Sequence, residues 1–116
     1  MIRKSEEMER EIRERMRGGN GAVEFRHIFR EDQLTGRARL FAHLSLPAGA
    51  SIGFHRHEGE EEVFYVLSGR GIVDDNGTKC EVMAGDAVLT GGGAGHAIEA
   101  AGDQPLEMIA VILKYS

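Results

Sequence analysis

The chain has 116 residues, 41% of them hydrophobic and 28% charged, with a net charge of -5. That size and composition point to one globular domain, and the negative balance argues against a general nucleic-acid binder. No apolar run is long enough to span a membrane, and the charged stretch from Arg3 onward does not read as a signal peptide. The single cysteine, Cys80, rules out an internal disulfide framework and fits a reducing compartment, so the expected location is cytoplasmic. Glycine is common (16) and proline rare (2), which favours many short strands joined by tight turns.

In chain order, residues 4–17 are predicted to form a helix. Ser5 is placed to cap it, Glu6 and Glu7 fall in the first turn, and Gly18-Gly19 ends it. Glu6/Arg10, Glu9/Arg13 and Glu11/Arg15 are four apart in the favourable order, and Met8, Ile12 and Met16 make a narrow apolar stripe. Residues 1–21 are nearly neutral, and their stripe is expected to cover a sheet or a partner subunit. They read as a helix and glycine linker preceding a β-domain over residues 22–116.

From Val23 the period changes to two. Val23, Phe25, His27 and Phe29 share one face of a strand. In the next, Ala38, Leu40, Ala42, Leu44 and Leu46 face one way; Arg39, Phe41, His43 and Ser45 face the other. Asn76-Gly77 between two strand patterns is a hairpin signal. Asp86 to Thr90 reads as a short buried strand, and Leu106 to Lys114 as an apolar strand covered on both faces. The total is about eight to ten antiparallel strands, the element count of a jelly roll or small barrel.

Gly49 to Gly69 carries the chemistry. Alternate strand residues share a face, so His55 and His57 project together while Arg56 points away. A carboxylate follows in the run of glutamates. Glu62 is favoured because it alternates with Phe64 and Val66; Glu61 is the competing choice and lies on the other face. Glu58 and Glu60 read as solvated groups or as groups that orient an imidazole. Gly85 to Ala100 brings His96 after a glycine-rich reversal. Imidazoles with a carboxylate suit several transition metals, and four such donors leave open positions on an octahedral ion. His27 and His43 sit singly in strands and read as structural, although His43, beside Phe41, is placed to line a cavity mouth. Arg39 is the candidate for holding an anionic substrate. Phe64, Val66 and Ile98 alternate with the ligands and read as both core and pocket wall.

The spacing resembles the two cupin motifs. Gly49, His55, His57, Glu62 and Gly69 fill the first; Gly85, Gly93 and His96 match the second. Gly91 stands where that motif has proline and Ala100 where it has asparagine, and neither position is a ligand. The surrounding text is similar to small bacterial single-domain cupins often described as oxalate decarboxylase-like. The resemblance implies an all-β double-stranded β-helix, one divalent metal per chain (Mn, Fe, Ni or Zn) held by His55, His57, Glu62 and His96, and a homodimer. It also implies a small-molecule ligand. The expected function is a metal-dependent enzyme acting on a small carboxylate- or hydroxyl-bearing molecule, decarboxylase- or dioxygenase-like. The alternatives are a non-catalytic binding or sensing cupin and a metal-dependent isomerase.

Overall fold

The computed structural model describes all residues 1–116. Ten strands follow one another: β1 (Glu9–Glu14), β2 (Ala22–His27), β3 (Ala38–Leu46), β4 (Ser51–Arg56), β5 (Glu60–Ser68), β6 (Arg70–Asp75), β7 (Thr78–Met83), β8 (Ala87–Gly91), β9 (Gly95–Ala101) and β10 (Leu106–Lys114). They form a six-stranded sheet, in the order β1-β2-β3-β10-β5-β8, and a four-stranded sheet, β4-β9-β6-β7. Every pairing is antiparallel. No helix is long and apolar enough to cross a membrane.

Period-two patterning explains the core. Val23 and Phe25 of β2, Ala42, Leu44 and Leu46 of β3, Phe64 and Val66 of β5, and Leu106, Met108 and Ala110 of β10 all point between the sheets and are buried. Ile52, Val73, Val82 and Ile98 meet them from the four-stranded sheet. The Asn76-Gly77 hairpin forms as expected. Asp75 pairs with Thr78, and both loop residues take positive φ (51° and 104°), which suits the twist of a two-residue turn.

The expected helix over residues 4–17 does not form. Ser5–Glu7 and Met16–Gly18 are single 3-10 turns, and β1 lies between them, paired along β2 from Glu9↔His27 to Glu14↔Ala22. The charges that suggested helical pairs take other partners instead. Glu9 meets Arg30, and Glu11 meets His27 as well as Arg13. Helix propensity is a weak preference, and an isolated polar helix would have left the β2 edge with unpaired backbone groups. Strand addition satisfies that edge. Ile12 of the proposed stripe is left 59% exposed, while Met16 packs against the core.

Two other strands differ from expectation. β8 is an edge strand in which Thr90 alone is buried, because its outer neighbour is solvent. β10 is buried on one face only. Ile109 and Val111 on its other face are half-buried.

Candidate metal centre

β4 and β9 deliver the histidines. Their register shifts between Ile52↔Ile98 and His55↔His96, so two residues of β4, Gly53 and Phe54, stand against one of β9. This β-bulge turns the strand, so Ile52 faces the core and His55 the site although they are three apart. The bulge also supplies a partner, since His55 Nδ1 donates to the Gly53 carbonyl at 2.8 Å. Glycine is required there. A Cβ on Gly53 would stand 2.0 Å from the Arg17 carbonyl oxygen, because the Met16–Gly18 turn packs its backbone on β4.

His57 follows β4, its backbone held by Ala94 and Gly93 of the β8–β9 turn. Its Nδ1 donates to Glu60 Oε2 at 2.7 Å, and Glu60 in turn accepts two bonds from Arg39. The Arg39 guanidinium, and then His57, hold the Glu60 carboxyl well down, at about 2. Glu60 is therefore an ionised acceptor, and the proton of neutral His57 sits on Nδ1. His55 is fixed in the same tautomer by Gly53. Both rings turn an Nε2 lone pair toward one point.

At that point His57 Nε2 and His96 Nε2 are 3.1 Å apart, and His96 Nε2 and His55 Nε2 3.2 Å. Glu62 Oε1 lies 2.9 Å from His57 Nε2 and 3.0 Å from His96 Nε2. One donor atom from each of the four residues falls within 4.8 Å of all the others. The six-stranded sheet provides Glu62, through β5; the four-stranded sheet provides the histidines. His57, Glu62 and His96 are buried, and the Phe64 ring stacks flat on His96 at 4.9 Å. Glu61, the competing carboxylate, sits on the other face of β5, paired with Leu113 and Gly91.

The electrostatics fit a cation. Burial pushes His55 down. His57 is raised, chiefly by its bond to Glu62. Burial would raise Glu62, but hydrogen bonds from His57 and His96 outweigh it and its pKa is lowered. Three imidazole nitrogens and a carboxylate oxygen at 2.9–3.2 Å cannot all present lone pairs to one another unless a proton or a metal stands among them. This donor set could hold a transition-metal ion.

The site opens on a cavity of about 470 Å³. Its wall includes Arg39 and Phe64, as expected, with Phe25, Leu44 and Ile52. Val66 and Ile98 are fully packed in the core and do not reach it. Phe41 and His43 lie on the opposite face of β3, and His43 bonds Glu107 at 3.1 Å there. The wall also takes residues that were not expected to line it: Arg13, Met16 and Arg17 from the N-terminal segment, His27, Phe29 and Arg30 around the end of β2, and Glu31 and Asp32 just beyond. The face shared by Phe25, His27 and Phe29 was the one available signal for the residues around the end of β2.

A model of the cupin domain matches residues 42–112. The chain belongs to the cupin family. It is 43% identical to an oxalate-binding protein of Thermotoga maritima over 113 residues, 97% of this cupin and 93% of that protein. A crystal structure described as a predicted oxalate decarboxylase from Thermotoga maritima superposes with a TM-score of 0.93 at 43% identity, covering 98% of this chain and 99% of that one. A polyketide cyclase of Streptomyces resistomycificus (TM-score 0.78, 20% identity, 100% of this chain and 81% of that one) shares the fold.

Proposed function

We propose that this cupin binds a small carboxylate in a metal-dependent manner, with an oxalate-sized dianion as its leading ligand. One observation carries the reading: three of the four donor residues, His55, His57 and Glu62, line a cavity whose wall also bears four arginines, Arg13, Arg17, Arg30 and Arg39, against two further acids, Glu31 and Asp32. Three of them are already paired, with Glu11, Glu9 and Glu60 respectively. Arg17 makes no ion pair and is the guanidinium free to take a carboxylate, which it fits in bidentate fashion. Arg39 supports the site through Glu60 and adds positive potential to the mouth. Phe64 stacks on His96 and forms wall, while Val66 and Ile98 belong to the buried core. Any of Mn, Fe, Ni or Zn suits His55, His57, Glu62 and His96. When bound, the ion supplies Lewis-acid attraction for carboxylate oxygens at its open positions. The name of the oxalate-binding relative supports the ligand class.

Isothermal titration with oxalate tests this. Metal-loaded protein binds, chelator-stripped protein does not, and R17A weakens binding about tenfold while keeping its metal. Equal binding with and without metal would reject the reading. Catalysis is the second reading, favoured because four protein donors leave coordination positions open. Carbon dioxide release or oxygen uptake with oxalate and related acids decides it.

We also propose a cytoplasmic homodimer. On the outer face of the six-stranded sheet, Phe41, Val111, Val63 and Leu89 stand in one cross-strand row, with Ile109 and Tyr65 beside them. The centre of this row is uncharged and half-exposed, and a second copy related by a two-fold axis covers it with the same row.

A further inference from the structure

Glu11 and His27 form a pair that the metal cluster does not use. His27 is 4% exposed, on the inner face of β2, and its ring is stacked near Phe25. Its Nε2 lies 2.9 Å from Glu11 Oε1. Glu11 comes from β1, the strand that replaces the expected helix. Arg13, two residues on, clamps the same carboxylate through Nε at 2.9 Å, and the Arg13 guanidinium lies over the Phe25 ring at 4.2 Å. Arg13 first, and then His27, hold the Glu11 carboxyl at about 2. Glu11 is therefore an acceptor only, and His27 Nε2 must carry the hydrogen. In the neutral ring that leaves a lone pair on Nδ1. Nδ1 has no hydrogen-bond partner in the protein, and His27 is a residue of the cavity wall.

That wall carries guanidinium donors and the charged acceptors Glu31, Asp32 and Glu62. His27 lines the same space as an uncharged acceptor with Nδ1 unpartnered, held in one tautomer by a charged group behind it, as a histidine must be to take a hydrogen bond reliably. We propose that His27, positioned by Glu11, is a specificity-determining residue that accepts a hydrogen bond from a hydroxyl of the ligand. The ligand class is then a carboxylate bearing an O–H, such as a 2-hydroxy acid or a half-protonated diacid. This rests on the reading that the cavity takes carboxylates, and within that class it favours an O–H-bearing acid over the fully ionised oxalate dianion.

Metal-loaded wild type, H27F and E11A are titrated with glycolate, which has the hydroxyl, and with acetate, which lacks it. Phenylalanine keeps the ring beside Phe25, so H27F retains the packing of the wall. Glycolate binding weakens about 3- to 10-fold in H27F, the size expected for one hydrogen bond, while acetate binding and metal content are unchanged. In E11A the loss is smaller, because the acceptor remains but is no longer oriented. Imidazole nitrogen NMR gives a readout that does not need a ligand: His27 is the Nε2–H tautomer in wild type and a mixture in E11A. If H27F weakens both acids equally or neither, or if wild-type His27 carries its proton on Nδ1, the proposal falls and the carboxylate reading stands. If loaded wild type binds oxalate but not glycolate, this proposal falls and the carboxylate reading stands; if it binds none of the three acids, both fall.

Discussion

Replacing Glu60 tests whether the metal cluster is held by the chain behind it. Glu60 accepts three hydrogen bonds, from His57 Nδ1 at 2.7 Å and from Arg39 Nε and Nη2 at 2.8 and 3.0 Å. A glutamine has one acceptor oxygen. In E60Q that oxygen serves either His57 or Arg39, and the amide N–H groups oppose the other partner's donors. His57 then faces a neutral acceptor, and its Nε2 becomes a weaker ligand. Groups that orient metal-bound histidines are worth about 10–100-fold in affinity, or ~1.4–2.7 kcal/mol. E60Q falls at the lower end, since one bond to His57 survives. E60A falls toward the upper end, because a buried Nδ1–H loses its acceptor. E62A removes a donor and exceeds both. Zinc affinity measured by competition with a chelating dye gives the ranking. If E60Q and E60A bind zinc as wild type does, Glu60 does not orient His57 and the account of the site is wrong.

Gly53→Ala and Gly19→Ala each drive a Cβ into backbone, 2.0 Å from the Arg17 oxygen and 2.1 Å from the Ser51 oxygen, whereas Gly36 has no atom within 4 Å. Urea unfolding should show losses of about 2–3 kcal/mol for the first two and little change for Gly36→Ala. The depressed Glu11 carboxyl, about 2 against an ordinary 4.5, contributes stability above pH 4.5 that is lost as pH falls toward 2. Denaturant midpoints between pH 6 and pH 2.5 should therefore fall less steeply for E11Q than for wild type; parallel curves would contradict the pairing. Val111→Lys, in the middle of the outer apolar row, should convert a dimer to a folded monomer in light scattering; an unchanged mass places the interface elsewhere.

The convergence of four donor residues was legible because a strand's period of two and the motif spacing together pick out His55, His57, Glu62 and His96. The hairpin was legible because Asn76-Gly77 admits positive φ. β1 was not. Its charges at spacings of two and four satisfy a strand and a helix alike, and only the bare edge of β2, a long-range fact, decides between them. The bulge before His55 left a faint trace, a glycine inside a strand pattern. Part of the cavity wall was missed for the same reason as β1: Arg13 and Arg17 reach it because their segment runs along β2 as a strand and a turn and not as a helix. β10 misled in the other direction. Its apolar outer residues Ile109 and Val111 suggested a covered face that one chain does not provide.

The four-donor cluster joins the two sheets, so removing a metal held there would test protonation as well as stability. Without the ion, the crowded Nε2 atoms and the Glu62 oxygen need a proton. His57, raised by its bond to Glu62, is the group that takes it, while burial keeps His55 neutral. A raised histidine contributes stability that is fully present below its unfolded value of about 6.5 and is lost as pH rises through its folded value. Stripped protein therefore loses stability on the alkaline side of neutrality. Loaded protein behaves oppositely, because protons leave the nitrogens and the ion binds more tightly. At free metal of about 100 times Kd, binding adds ~2.7 kcal/mol. The gap in melting temperature between loaded and chelator-stripped protein should widen from pH 6 to pH 8.5. A gap that narrows over that range would mean that His57 is not the proton carrier at the site, and that the cation and the proton do not compete for the same four atoms.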